Sequence, residues 1–186
     1  MLRRMNLRHQ EMLLWVREFY SIPASGAVLD IGCGGGRNLA NMLEQAPGAT
    51  FSGIDLSPQS VRQARAFNRA AVRSGRIEIR KGSVEKLPYP DAQFDLATAS
   101  ETIYFWPDLA KNFREVCRVL KPGGMFLICN EVPDSEDGRK WTGIIDGMRV
   151  YSNAELEMSL TGAGFGDLAF HTHTCRTWLC VTARRK

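Results

Sequence analysis

No run of apolar residues in this chain approaches the roughly 20 that a bilayer crossing requires. The opening Met1-Leu2-Arg3-Arg4-Met5 is basic but lacks the continuous apolar stretch of an export signal. These absences make a soluble cytoplasmic protein without a membrane partner the expectation. Any C-x-x-C pair is missing too. The five cysteines, at 33, 117, 129, 175 and 180, are odd in number, which argues against a disulfide framework or a zinc site and fits a reducing compartment. His171, His173 and Cys175 alternate onto one face of an expected strand, yet a fourth ligand is lacking and no metal is expected. A single aromatic residue, Phe67, is interleaved with Arg62, Arg65, Arg69, Arg73, Arg76, Arg80 and Lys81, too few to stack successive bases. The first four recur at helical spacing and read as one solvated helix face, which disfavours a nucleic-acid partner. Nothing in the sequence points to an oligomer.

What is present fits one globular domain. The 186 residues are 44% hydrophobic and 24% charged, with a mild net charge of +4, ordinary values for a single soluble core. Apolar residues at 12, 13, 15, 16 and 19 predict an amphipathic helix from Leu7 to Tyr20 within an N-terminal segment of residues 1–25, carrying His9 and Trp15. Ala27 to Ile31 then reads as a buried parallel strand.

A glycine-dense turn follows that strand, and a helix is expected from Asn38 to about Gln45. Strand, glycine turn and helix begin a nucleotide-binding βαβ unit, where missing Cβ atoms let a ligand approach the backbone. The glycines fall at 32, 34, 35 and 36. A dinucleotide fingerprint needs one at 37, where Arg37 stands, so the pattern is an acid, Asp30, followed by alternate glycines. A second strand ends at Asp55, a spacing at which a carboxylate reaches a ribose. Ser57 and Pro58 suit the N-cap and first position of the next helix.

Arg76 to Lys81 reads as a third strand, followed by the turn Gly82-Ser83-Val84. Gln93 to Ser100 reads as a fourth, ending at Glu101-Thr102-Ile103-Tyr104-Phe105-Trp106-Pro107-Asp108. An acid with a Tyr and a Trp just past a strand's carboxyl end is a substrate-side constellation. A helix is expected from Leu109 to Leu120, ended by Lys121-Pro122-Gly123-Gly124, and a fifth strand from Met125 to Asn130. Residues 131 to about 150 read as polar and irregular, a short lid. A helix from Ser152 to Gly162 and a hairpin, Ala169 to Thr174 with Thr177 to Ala183, complete the chain.

The Asp30–Gly36 turn, "Gly-Ile-Asp-Leu-Ser-Pro" at 53–58, "Glu-Val-Cys-Arg-Val-Leu-Lys-Pro-Gly-Gly-Met-Phe-Leu-Ile" at 115–128 and "Ala-Gly-Phe" at 163–165 resemble the class I S-adenosylmethionine (SAM)-dependent methyltransferases. The likeness is to the methyltransferase-domain type that includes quinone- and sterol-methylating enzymes, and it runs from residue 27 to 183. It implies a Rossmann-like α/β three-layer sandwich with a mostly parallel seven-stranded sheet, order 3-2-1-4-5-7-6, strand seven antiparallel. It also implies SAM as cofactor, leaving S-adenosyl-L-homocysteine (SAH). The candidate cofactor residues are Asp30, Gly32, Cys33, Gly34 and Gly36, then Asp55 and Leu56, Ser83 and Val84, and Ser100 and Glu101. Cys33 reads as a small residue tolerated in the tight turn, not as a reactive thiol. Glu101 and Tyr104 are the candidates to orient the acceptor.

Family members that methylate nucleic-acid amino groups carry an Asn/Asp-Pro-Pro-aromatic run after strand four; here the residues are Ala99-Ser100-Glu101-Thr102. Cytosine-carbon methylation needs a cysteine there, and none is present. The expectation is a methyltransferase for a small-molecule acceptor. RNA- or protein-directed methylation and a non-catalytic SAM-binding partner subunit are the alternatives. A nicotinamide dehydrogenase is the weakest.

Overall fold

A computed structural model describes residues 10–132 and 134–186. Seven strands form its sheet: β1 Ala27–Ile31, β2 Thr50–Asp55, β3 Ile77–Lys81, β4 Phe94–Ser100, β5 Leu120–Asn130, β6 Phe165–Thr172 and β7 Leu179–Arg185. Their spatial order is β3-β2-β1-β4-β5-β7-β6. The first five pair in parallel, while β7 runs antiparallel to both β5 and β6. Parallel neighbours need crossovers, and here these are helices: α2 Arg37–Gln45, α3 Pro58–Phe67, α4 Arg69–Arg73 and α5 Leu109–Val119. A short α1, Gln10–Trp15, precedes the sheet; α6, Glu136–Thr142, and α7, Asn153–Gly162, follow β5. The expected fold class and strand order are those observed.

Strand alternation sends successive residues to opposite faces. Val28 and Leu96 join Met12, Val16, Leu39, Met42 and Val61 on one side. Leu29 and Ala97 join Phe113, Val116, Leu156 and Leu160 on the other. Each face buries its own apolar layer, so the sheet is covered on both sides and its strands can be apolar throughout.

Several boundaries depart from the sequence reading for local reasons. Helix α2 begins at Arg37, capped by Gly36 in a left-handed conformation, because the Asn38 side chain is drawn inward to donate to Asp30 Oδ1 at 3.1 Å. The arginine face is not one helix. It breaks at Asn68, between α3 and α4, whose buried amide donates to the carbonyls of Gly36 (2.9 Å) and Ala64 (3.0 Å). Arg65 turns back onto the Ile79 carbonyl. Strand β5 starts at Leu120, before the Lys-Pro-Gly-Gly run, since Leu120 pairs with Phe94 and Met125 with Leu96; the run bulges out between them, with Gly123 at φ +74°.

At the far edge, β6 starts at Phe165 and stops at Thr172, so His173 and Cys175 lie in the turn and not on a strand face. The His173 ring accepts from the Cys175 N–H (3.0 Å) and packs against Trp15 and Trp178. His171 stacks on Phe19 with ring centroids 4.0 Å apart. These contacts fasten the N-terminal elements to the sheet edge. Residues 7–9 of the expected first helix, His9 included, lie outside the described residues. The 131–150 segment is not wholly irregular: it contains α6, capped by Ser135, whose hydroxyl accepts from the Gly138 N–H.

Gly36 is the tightest point of this framework. A Cβ there would stand 2.5 Å from Asn68 Nδ2 and 2.9 Å from Ala64 Cβ, at φ +79°. Strain and overpacking add, so Gly36→Ala is expected to lower stability by about 2–3 kcal/mol in urea unfolding. Gly75→Ala, at φ +75° with nothing within 4 Å, carries only the backbone part and is the matched control.

Candidate active-site cleft

The carboxyl ends of β1 to β4 converge on one cleft of ≈ 350 Å³. Its floor is set by the glycine turn. The N–H groups of Gly32 and Cys33 both donate to the Ile54 carbonyl, at 2.8 and 3.0 Å, which folds the exit of β1 across the end of β2. The next N–H, of Gly34, donates to Asp55 Oδ2 at 2.9 Å, and the Ser57 N–H donates to Oδ1 at 2.8 Å. Asp55 is therefore held by main-chain donors on both oxygens, each keeping a lone pair for a ligand hydroxyl.

On the other side of the turn lies Thr102. A Cβ on Gly32, at φ +74°, would come within 2.7 Å of its hydroxyl. That hydroxyl accepts from Trp106 Nε1 at 2.9 Å, which seats the indole against the cleft. The wall is completed by Leu56, Ser83, Val84, Glu85, Phe105 and Pro107. Leu56 and Phe105 are exposed while Val84 is buried. The Ser83 hydroxyl accepts from the Glu85 N–H and donates to the Glu85 carboxylate.

The charged side chains that line the cleft are Asp55, Glu85 and Glu101; no Lys, Arg or His lines it among the described residues. In a chain of net charge +4 this is a local reversal of sign. Such a wall attracts hydroxyls and cations and repels a pyrophosphate.

Asp30 lies behind the turn, buried at 2% exposure. Its Oδ1 accepts from the Thr98 hydroxyl at 2.7 Å and from Asn38. Its Oδ2 has no partner among the described residues, and neither does the buried Ser100 hydroxyl. Burial pushes the Asp30 carboxyl up to about 6, against the pull of the Thr98 and Asn38 bonds. Burial likewise holds the Cys33 thiol far above its usual range, with the Asp30 and Asp55 charges adding to it, so the sulfur is a neutral, packed group.

Glu101 has a left-handed backbone, φ +59°, a conformation that costs about 1–3 kcal/mol outside glycine and persists where neighbours enforce it. Its N–H donates to the Cys129 carbonyl at 2.8 Å, and its Oε1 accepts from the Glu131 N–H. Burial raises its carboxyl to about 7, with the nearby Glu131 charge adding and the Glu131 N–H and Tyr104 bonds opposing.

The Tyr104 hydroxyl accepts from the Val132 N–H at 2.9 Å and stands 3.2 Å from Glu101 Oε1. Its main-chain carbonyl accepts from the Arg149 N–H at 2.9 Å. Both ends of the 131–150 segment are thus fastened to this one residue. The ring is buried, and burial lifts its hydroxyl far above the ordinary tyrosine range.

Of the residues singled out from the sequence, Gly32, Asp55, Leu56, Ser83, Val84 and Glu101 line the cleft. Asp30, Cys33, Gly34, Gly36, Ser100 and Tyr104 do not line it and are packed behind or beside it. Thr102, Trp106 and Glu85 line it as well, although the sequence reading did not name them as ligand contacts. The aromatic run after strand four was a signal for Trp106; a lone threonine and a turn glutamate carry none.

With this geometry in hand, comparisons with known proteins are informative. A family model described as a methyltransferase domain matches residues 29–128. The Penicillium fellutanum methyltransferase phqN is 32% identical over 159 residues, which cover 80% of this chain and 48% of that protein. The chain spans about half the length of the curated relatives it matches. Among solved structures, a Haloferax volcanii methyltransferase in complex with the Trm112 activator superposes with a TM-score of 0.89 at 20% identity, covering 98% of this chain and 92% of that one. The [4+2]-cyclase SpnF superposes with a TM-score of 0.82 at 23% identity, covering 94% and 80%. At such identities these likenesses describe the fold. The family match, which extends over more than half of the residues, is what establishes that the chain belongs to the methyltransferase-domain family of class I SAM-dependent methyltransferases.

Proposed function

We propose that this chain is a methyltransferase that takes its methyl group from SAM and passes it to a small-molecule acceptor. The observation that carries the reading is the cleft itself: carboxylates and main-chain N–H groups around a glycine turn, with no basic side chain lining it among the described residues. A nicotinamide dinucleotide would bring a pyrophosphate to that wall and find no cation, so a dehydrogenase is disfavoured. Asp55 would accept from ribose hydroxyls in short charge-assisted bonds. Leu56 and Val84 would flank the adenine, with Ser83 at its edge. The unpartnered Asp30 Oδ2 and Ser100 hydroxyl fit the polar amino-acid end of the cofactor.

When bound, SAM supplies a methyl group already activated on a sulfonium. The protein's task is then positioning, which brings most of the acceleration when the reactants are held about 3 Å apart in line. In this reading Glu101 orients the acceptor and receives its proton where the attacking atom carries one, a task suited to a carboxyl near 7. Tyr104 supports it through its hydroxyl. The 131–150 segment covers the acceptor and excludes water. We infer a cytoplasmic setting and no membrane partner; no described helix is long and apolar enough to cross a membrane. A cyclase shares the fold, which favours cofactor binding without methyl transfer as the second reading; transfer of label from SAM into metabolite pools decides between them.

Titration calorimetry tests the cofactor. SAM is expected to bind at micromolar concentrations, and Asp55→Ala to weaken binding by about 30-fold or more through loss of two charge-assisted bonds. A folded wild type that binds neither SAM nor SAH would overturn the proposal. For the acceptor side, Glu101→Gln is expected to lower turnover on the identified acceptor by about 100-fold, and Tyr104→Phe by a smaller factor. Full turnover in both variants would remove these two residues from the mechanism.

A further inference from the structure

We infer that Glu101 makes the cleft selective for charge, so that it holds the cationic methyl donor in preference to the neutral thioether product. The inference rests on SAM being the cofactor and adds a role in donor–product discrimination that methyl transfer does not itself require.

Two observations carry it. Among the described residues the cleft wall has three carboxylates and no basic side chain, so none of them neutralises Glu101. Its contacts are instead neutral donors, the Glu131 N–H and the Tyr104 hydroxyl. The titratable groups that face it are Glu131 and the Cys129 thiol, both from the end of β5, and Tyr104 from the turn after β4. Each is anionic or neutral. A carboxylate so placed has no counter-charge among the described residues, and its backbone is left-handed, at φ +59°.

SAM and SAH share the adenosine, the ammonium and the carboxylate; they differ by the methyl and the positive charge on sulfur. A carboxylate beside that sulfur favours SAM alone, whereas one paired with the ammonium favours both ligands equally. Asp55 and Glu85 belong to the β2 and β3 ends of the cleft, where the proposed reading puts the ribose and adenine, whereas Glu101 lines it next to Thr102, which packs against Gly32, so Glu101 is the wall carboxylate left to face the sulfur. A cation beside it also favours its ionised form. Burial, with the Glu131 charge adding to it, raises this carboxyl to about 7, so it is partly protonated near neutrality and SAM should displace a proton that SAH does not.

The test is titration calorimetry of the full chain at pH 7 with SAM and with SAH, in two buffers of different ionisation enthalpy. Wild type should release a fraction of a proton on binding SAM and distinctly less on binding SAH. Glu101→Gln should weaken SAM about tenfold, leave SAH within about twofold and abolish the release. Equal weakening of both ligands, or no proton release by wild type with SAM, overturns the inference while leaving the cofactor assignment intact. The wild-type measurement stands by itself if the variant does not fold. Binding of neither ligand to wild type removes the cofactor assignment and this inference with it.

Discussion

One carbonyl oxygen organises the molecule's working end. Ile54 O receives the N–H groups of both Gly32 and Cys33, and this pair of hydrogen bonds to the end of β2 accompanies a tight left-handed step as β1 leaves the sheet, with Gly32 at φ +74°. Everything that lines the cleft follows from that step. Asp55 comes within reach of the Gly34 N–H, Thr102 packs where a Cβ would otherwise stand, and Asn68 closes over the carbonyl of Gly36. A side chain at 32 or 36 collides with these neighbours, so the glycines answer to crowding on the protein side as much as to a ligand's approach.

Much of this was legible in the residues. Alternation and glycine punctuation placed the strands, and the Asp30–Gly36 pattern located the floor of the cleft. Asp55 stood out because a carboxylate at that spacing has one common use. What escaped were features that arise only when distant segments meet. Nothing around Thr102 marks it as the neighbour of Gly32. The break at Asn68 is invisible in a run with good helical periodicity, because what marks it is a hydrogen bond from the Asn68 side-chain amide to the Gly36 carbonyl, 32 residues away. The sign reversal in the cleft was equally hidden: Asp55, Glu85 and Glu101 are ordinary acids along the chain, and only the convergence of three strand ends gathers them on a wall with no base among the described residues.

The hairpin shows the same limit from the other side. His171, His173 and Cys175 alternate in sequence as strand residues would, yet β6 ends at Thr172. The aromatic packing of Trp15 and Trp178 on His173 turns the chain earlier than alternation suggests. Tertiary contacts of this kind override local period because rings this large bury more surface than an extra rung of strand pairing would contribute.

Because the Tyr104 hydroxyl fastens Val132 at one end and its main-chain carbonyl fastens Arg149 at the other, the two ends of this segment meet at one buried residue. Lengthening such a loop costs little, about 0.6 kcal/mol for each doubling. The residues that carry the cofactor cleft lie outside it. Chain length and side-chain choice between 134 and 148 can therefore change without disturbing β1 to β4; under the proposed function, acceptor choice can then vary while the donor site stays the same.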